Sequence, residues 1–328
     1  MFTRRKFLAT AVPSLAAGPL TIFGTARGTI SRSVSGRSGQ VRLPDGRRLG
    51  WSQFGDPHGY PILYFHGLPT SRLEGALLAR AAARQGCRLV SMDRPGIGLS
   101  SCQPGRTLVD WSRDVRHLTA SGCLDGWRVG CDYSILGFSS GGPYAVQCAA
   151  SLGDTGLRRV AVVSGVPLRC LGNLPAGEGD RALQLVRRWP NLARRLLKFY
   201  SRRAGRRPAM VANRAMHHMA IADRCLLGQA YYRQLFLCAF REATRQGPDG
   251  VVQDALLLTT CQQVALDRIE LPVSIWHGAC DRTILPVASQ TLAAHVPGSR
   301  LQIVAGQGHV SLPHRFGPEI LRWLQSNF

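Results

Sequence analysis

Lysine is nearly absent from this 328-residue chain: Lys6 and Lys198 stand against 39 arginines, and with only 19 acidic residues the formal charge reaches +22. Such a charge invites the idea of a polyanionic partner, but phosphate-backbone binding normally comes with a groove-reading motif or interleaved aromatics. Neither is present, so an arginine-favouring composition accounts for the charge and no nucleic-acid partner is expected. The body of the sequence also lacks a run of about 18 strongly apolar residues, which argues against an internal membrane span. Its ten cysteines (87, 102, 123, 131, 148, 170, 225, 238, 261 and 280) include no C-x-x-C pair and no clustered Cys/His set, which argues against a zinc site or any other metal. Several, such as Cys148 in an alanine-rich helical stretch, read as small buried hydrophobes.

What is present is a globular composition. With 45% hydrophobic and 18% charged residues, the chain can bury one large core, or a core plus an inserted lid. The first residues stand apart: Thr3-Arg4-Arg5-Lys6-Phe7-Leu8, an acid-free stretch to Phe23, then the small residues of Gly24-Thr25-Ala26. This resembles a twin-arginine export signal, directing the protein to the periplasm or outside; the alternative is an N-terminal extension on a cytoplasmic enzyme. Residues 1–35 are therefore set apart from the fold.

From Gln40 onward, two extended runs (Gln40–Leu43 and Arg48–Phe54) flank Pro44-Asp45-Gly46 and predict a β-hairpin. Apolar runs and helical stretches then alternate: Pro61–Phe65, Ser71–Gln85, Arg88–Met92, Leu108–Ser121, Tyr133–Leu136, Gly141–Leu152 and Val160–Ser164. The alternation stops at about Pro167. It resumes after Asp267 with Val273–Trp276, a helix near Val287–His295, Leu301–Val304 and a last helix from Pro318. The pattern predicts an α/β fold with a mostly parallel central sheet flanked by helices, whose core spans 40–166 and 268–328, and a helical lid inserted at 167–267. Within that block, 181–207 carries ten basic residues and no acid, with Leu192, Leu196, Phe199 and Tyr200 at helical spacing. The plainer reading is a lid helix with a solvated arginine face. The sharper one is a surface for weak association with an anionic membrane or for receiving acidic substrates.

Directly after Tyr133-Ser134-Ile135-Leu136 stands Gly137-Phe138-Ser139-Ser140-Gly141-Gly142, a G-x-S-x-G motif between a strand and a helix. A nucleophile on so sharp a turn needs glycine two residues to either side, because a side chain there would strike neighbouring backbone. Ser139 is the candidate nucleophile; Ser140, the rival, has no glycine two residues before it. A serine hydroxyl needs a histidine to take its proton and a carboxylate to hold that imidazole, in the chain order Ser, Asp, His. Asp281 follows the run Val273–Trp276 in His277-Gly278-Ala279-Cys280-Asp281-Arg282, and His309 follows Leu301–Val304 in Gly306-Gln307-Gly308-His309. His314 is the alternative base and Asp254 or Asp267 the alternative acid, while His217-His218 packs or faces solvent within the lid. For a developing oxyanion the donors are the backbone N–H groups of Ser140 and of Leu68, the latter in His66-Gly67-Leu68-Pro69 after Ile62–Phe65. His66, Gly67, Gly137 and Gly141 shape the site. Asp93-Arg94-Pro95-Gly96-Ile97-Gly98 lacks the third glycine of a dinucleotide fingerprint and reads as a structural turn under the site.

On His66-Gly67-Leu68-Pro69, Asp93-Arg94-Pro95-Gly96, Gly137–Gly142, Asp281 and His309, the sequence from Gln40 to Phe328 resembles the α/β-hydrolase superfamily, in particular its lidded bacterial members. Dehalogenases and epoxide hydrolases of that superfamily use an aspartate where this chain has Ser139. Proline iminopeptidases carry a second glycine where it has Leu68. The resemblance then implies a serine hydrolase of carboxylic esters that forms an acyl-enzyme on a small-molecule substrate without a cofactor. Carbon–carbon bond hydrolases and thioesterases share the triad, and a non-catalytic binding protein on the same fold is the reading from another class.

Overall fold

A computed structural model describes residues 37–326 apart from 123, 125, 126 and 173; the expected export signal lies outside the described residues. Strand β1 (Arg37–Arg42) turns back antiparallel onto β2 (Arg48–Gly55). At the turn Gly46 takes φ 85° and the Asp45 carboxylate accepts from the Arg47 N–H. The remaining strands are β3 (Tyr60–Phe65), β4 (Cys87–Met92), β5 (Tyr133–Phe138), β6 (Leu157–Val163), β7 (Val273–Gly278) and β8 (Arg300–Val304). They join one eight-stranded sheet in the order β1-β2-β4-β3-β5-β6-β7-β8, antiparallel at β1/β2 and β2/β4 and parallel from β4 to β8. Strands β4, β5 and β7 are buried along their whole length, which is why they read as unbroken apolar runs instead of alternating ones.

Helices cover both faces, as the alternation predicts. In chain order they begin with α1 (Ala79–Arg84), α2 (Leu108–Ala120) and α3 (Gly141–Ser151). Helix α2 starts on a capping box, with Thr107 and Asp110 each accepting from the other's backbone N–H. It packs Trp111, Val115 and Leu118 with Tyr144 and Cys148 of α3 against one sheet face. On the other face Ala82 of α1 meets Leu312, Ile320 and Leu321 near the C-terminus.

Two elements differ from expectation. The stretch Ser71–Gln85 enters as a 3-10 helix over Arg72–Leu78 before α1. A β-carbon on Gly75 would stand 2.9 Å from both the Phe54 ring and Ser91 Cβ, so the segment is pressed onto β2 and β4, and the Arg72 N–H is drawn to the Asp93 carboxylate at 2.7 Å. The last helix starts at Ser311, not Pro318, which lies inside it. Its first turn is fixed by a buried carboxylate from elsewhere in the chain, a start signal that outweighs proline's preference for helix starts.

Between β6 and β7 the described residues form α4 (Glu178–Arg188), α5 (Pro190–Arg206), α6 (Pro208–Met216), α7 (Ile221–Gly228), α8 (Ala230–Ala243) and α9 (Asp249–Leu258). Pro190 and Pro208 open α5 and α6, each ending the helix before it. After β7 come α10 (Val287–His295) and α11 (Ser311–Gln325). The nine described cysteines are free, and burial pushes the Cys87 thiol up to about 11.

Asp254 ties the inserted helices to the core. Fully buried in α9, it pairs with Arg94 at 2.8 Å and with Arg106, and it accepts from the Tyr144 hydroxyl. Burial alone would raise its pKa, but the two guanidinium groups hold it well below the ordinary carboxylate value. Breaking a buried pair by deleting one partner costs about 3–5 kcal/mol. Asp254→Ala is therefore expected to lower unfolding stability by roughly that amount in a denaturant titration; an unchanged midpoint and slope would refute this assignment.

Candidate active site

Strand β5 meets α3 at Ser139, which takes φ 52°, the left-handed region that L side chains seldom occupy. Backbone bonds pin the turn: the Ser139 N–H donates to Val163 O at 2.9 Å, and its carbonyl accepts from Gly142 and Val166, each at 3.0 Å. A β-carbon on Gly137 would stand 2.6 Å from Gly141 O, and one on Gly141 would stand 2.1 Å from Phe65 O. Glycine is what lets the turn close beneath the serine.

The loops after β7 and β8 carry Asp281 and His309 to the same place. His309 Nε2 lies 3.0 Å from Ser139 Oγ, and Nδ1 lies 2.7 Å from Asp281 Oδ2. All three residues are buried. A carboxylate only accepts, so Nδ1 carries the proton and neutral Nε2 is left to accept from the serine hydroxyl. Burial disfavours a charged imidazole, yet Asp281 holds the His309 pKa above the ordinary histidine value. Asp281 is pushed the other way: burial opposes its charge, but His309 and His277 keep it well below the ordinary carboxylate value. Its second oxygen accepts from the N–H groups of Thr283 (2.8 Å) and Ile284 (3.0 Å). His277, buried beneath it, has Nε2 at 2.9 Å from Ile284 O and at 3.3 Å from Asp281 Oδ2.

Opposite lies the loop after β3. Leu68 and Ser140 both line the cavity in front of Ser139, and among the described residues neither backbone N–H has a hydrogen-bond partner. Gly67 is held by the buried Glu74, which accepts from its N–H (2.7 Å) and from the Thr70 (2.8 Å) and Tyr64 (3.0 Å) hydroxyls. His66 sits below, fully buried; Nδ1–H donates to Gly67 O at 2.7 Å and Nε2 accepts from the Arg94 N–H at 3.4 Å. Burial and the Arg94 charge hold its pKa well down, so it is neutral. The Asp93–Gly98 turn does lie under the site: Arg94 donates to Ser140 Oγ at 3.1 Å, so Ser140 faces a guanidinium instead of an imidazole.

None of the other candidates hydrogen-bonds to Ser139, His309 or Asp281 among the described residues. Asp254 is committed to its two arginines, and Asp267 is exposed. His314 in α11 meets the Tyr232 ring of α8 edge-on, and the exposed His217 and His218 contact each other at 4.6 Å between ring centroids, with His218 on the cavity wall.

Sequence reasoning missed Asp223, in α7. Its carboxylate is fully buried and accepts from the N–H groups of His309 (2.8 Å), Val310 (2.9 Å) and Ser311 (2.8 Å). It thus caps α11 and holds the histidine loop from an inserted helix. The fit is tight, since a β-carbon on Gly308 would lie 2.3 Å from Asp223 Oδ2. Glu74 and His277 were missed as well. Of the three only His277, in the same short segment as Asp281, offered a local signal.

The cavity in front of Ser139 measures about 520 Å³, a size typical of small-molecule sites. Its wall is apolar, including Phe138, Leu183, Val186, Leu197, Phe236 and Phe240, and helices α4 to α9 supply much of it.

Residues 62–319 match the sequence profile of the alpha/beta hydrolase family. Among solved structures the fold is similar to an esterase from Exiguobacterium antarcticum (18% identity, TM-score 0.66, 88% of this chain and 99% of that one). It is also similar to a bromoperoxidase from Bacillus anthracis (18%, 0.65, 88% and 100%) and to an enol-lactonase from Burkholderia xenovorans LB400 (18%, 0.59, 88% and 100%). At these identities the likeness is one of fold. No curated protein matches the sequence.

Two outcomes follow from the geometry itself. The His309 ring, followed by NMR, titrates above about 6.5 in the native chain, and Asp281→Asn lowers its pKa; an unmoved titration would show that Asp281 does not set it. Asp223→Ala leaves three amides without an acceptor, so hydrogen exchange at His309–Ser311 accelerates by at least about tenfold for a lost interaction of 1.4 kcal/mol or more. Unchanged protection there would mean the loop is held by other contacts.

Proposed function

The chain belongs to the alpha/beta hydrolase family, and on that premise we propose that it hydrolyses carboxylic esters through an acyl-enzyme on Ser139. The observation that carries this reading is the hydrogen-bonded chain Ser139–His309–Asp281, at 3.0 and 2.7 Å, facing an apolar cavity of about 520 Å³. His309 Nε2 takes the Ser139 proton as Oγ attacks the ester carbonyl, and Asp281 stabilises the imidazolium that forms. The free N–H groups of Leu68 and Ser140 receive the developing oxyanion. Collapse of the tetrahedral intermediate breaks the bond to the alcohol, whose oxygen takes the proton from His309. Water, deprotonated by the same imidazole, then attacks the acyl-serine and regenerates the enzyme. Helices α4 to α9 act as a lid that shapes the acyl and alcohol subsites.

A p-nitrophenyl ester series tests this reading. Turnover is expected in the native chain and to fall by several orders of magnitude in Ser139→Ala and His309→Ala with folding intact. Because the cavity is apolar, kcat/KM should rise with acyl length by up to about fourfold per methylene until it is full. Inactivity on every ester, or variants that keep the activity, would overturn the assignment. The acid limb of kcat/KM should report His309 in the free enzyme, because the base must be neutral to act. With its pKa raised by Asp281, activity grows with pH through a midpoint above about 6.5; a midpoint near 5 would show that another group is the base.

A further inference from the structure

The outer surface of α4 and α5 combines two features that the hydrolase reading does not use. Helix α5 turns Ala193, Leu197, Tyr200 and Ala204 inward, buried or half-buried. The residues between them fall on two outward stripes. Leu192, Leu196 and Phe199, at i, i+4 and i+7, are 45%, 37% and 45% exposed, and Trp189 at the α4–α5 junction is 53% exposed. Beside them Arg195, Lys198, Arg202 and Arg206, at i, i+3, i+7 and i+11, are exposed and make no ion pair among the described residues. Acids on the adjoining helices are already paired, Glu178 with Arg181 (2.8 Å), Asp249 with Arg194 (2.7 Å) and Glu242 with Arg72 (2.7 Å). Four or more large apolar side chains on one surface, flanked by unpaired cations, are costly to leave in water and mark a docking face.

We propose that this face docks on the surface of an anionic phospholipid bilayer. The charge selects the sign of the partner and the apolar stripe selects its kind. Nucleic acid would satisfy the cations but leave Trp189, Leu192 and Phe199 in water, whereas a headgroup layer over an acyl boundary takes both. The aromatic rings suit that depth: Arg188 lies over Trp189 at 4.9 Å and Arg203 over Phe199 at 4.7 Å, so each ring enters the interface with a cation at its face. No described helix is long and apolar enough to cross a membrane, so the contact is peripheral. The same surface borders the site, because the exposed Leu185 and Leu196 also line the cavity in front of Ser139. Docking thus puts the cavity's mouth against the lipid. If the hydrolase reading holds, esters dissolved in the bilayer are the substrate class delivered there. The docking itself does not depend on that reading, and it is tested without turnover.

The test is flotation of the full chain with vesicles of phosphatidylcholine alone or mixed with phosphatidylglycerol, for the native sequence, Arg195→Glu/Arg202→Glu and Leu192→Ser/Phe199→Ser. Thermal melts verify that the variants fold, and residues 1–36 are common to all three proteins, so differences between them report this face. Binding to the anionic vesicles is expected to exceed binding to phosphatidylcholine, to weaken with salt, and to fall by at least about tenfold in each variant. Equal binding to both vesicle types, no binding to either, or variants that float like the native chain would overturn the proposal. So would duplex DNA binding that survives Leu192→Ser/Phe199→Ser in a chain that ignores vesicles.

Discussion

Everything at the site depends on one close approach: β5 must turn into α3 within two residues of Ser139, at a backbone angle that L side chains disfavour. The turn is held in place by constraints on every side. Phe65 O leaves no room for a β-carbon at Gly141, Gly141 O leaves none at Gly137, and Val163 O receives the Ser139 N–H. Parallel strands on either side of β5 set these distances, so the serine stands clear of the sheet with its hydroxyl at His309. Moving the serine one place along, to Ser140, would bring it to Arg94, a donor that has no means of taking a proton.

A second dependence runs through the inserted helices. His309 sits on a glycine-containing loop that local sequence would leave free, and the backbone of that loop is gripped by Asp223, 86 residues earlier. The helices that wall the cavity therefore also hold His309 within hydrogen-bond distance of Ser139. Asp254 makes the corresponding link from α9 to Arg94 and Arg106 beneath the serine. Buried carboxylates at both points tie the helices between β6 and β7, which line the cavity, into the framework of the site.

The sheet and its flanking helices were legible because their signals are local: buried parallel strands read as apolar runs, and α2 announces itself with Thr107 and Asp110. The grouping of Ser139, Asp281 and His309 was legible through its motif and chain order, each element lying at the C-terminal end of a strand. Asp223 was not, because a capping aspartate normally precedes its own helix and this one caps a helix far along the chain. Glu74 escaped for a similar reason: its partners Tyr64, Gly67 and Thr70 are near in sequence, but a carboxylate on a 3-10 turn reads as an ordinary exposed acid until the turn is pressed under the sheet. Proline misled at Pro318, where a start signal by composition gives way to a start enforced by tertiary contact.

The most direct test of the account is the mass of the protein caught during turnover. Quenched in acid within the first turnover of a p-nitrophenyl ester, the chain should carry one added acyl group, located by peptide mapping on Ser139 and absent from Ser139→Ala. An acyl group found on Ser140 or on a cysteine, or hydrolysis with no acyl-protein at any time, would contradict the assignment of Ser139 as the nucleophile.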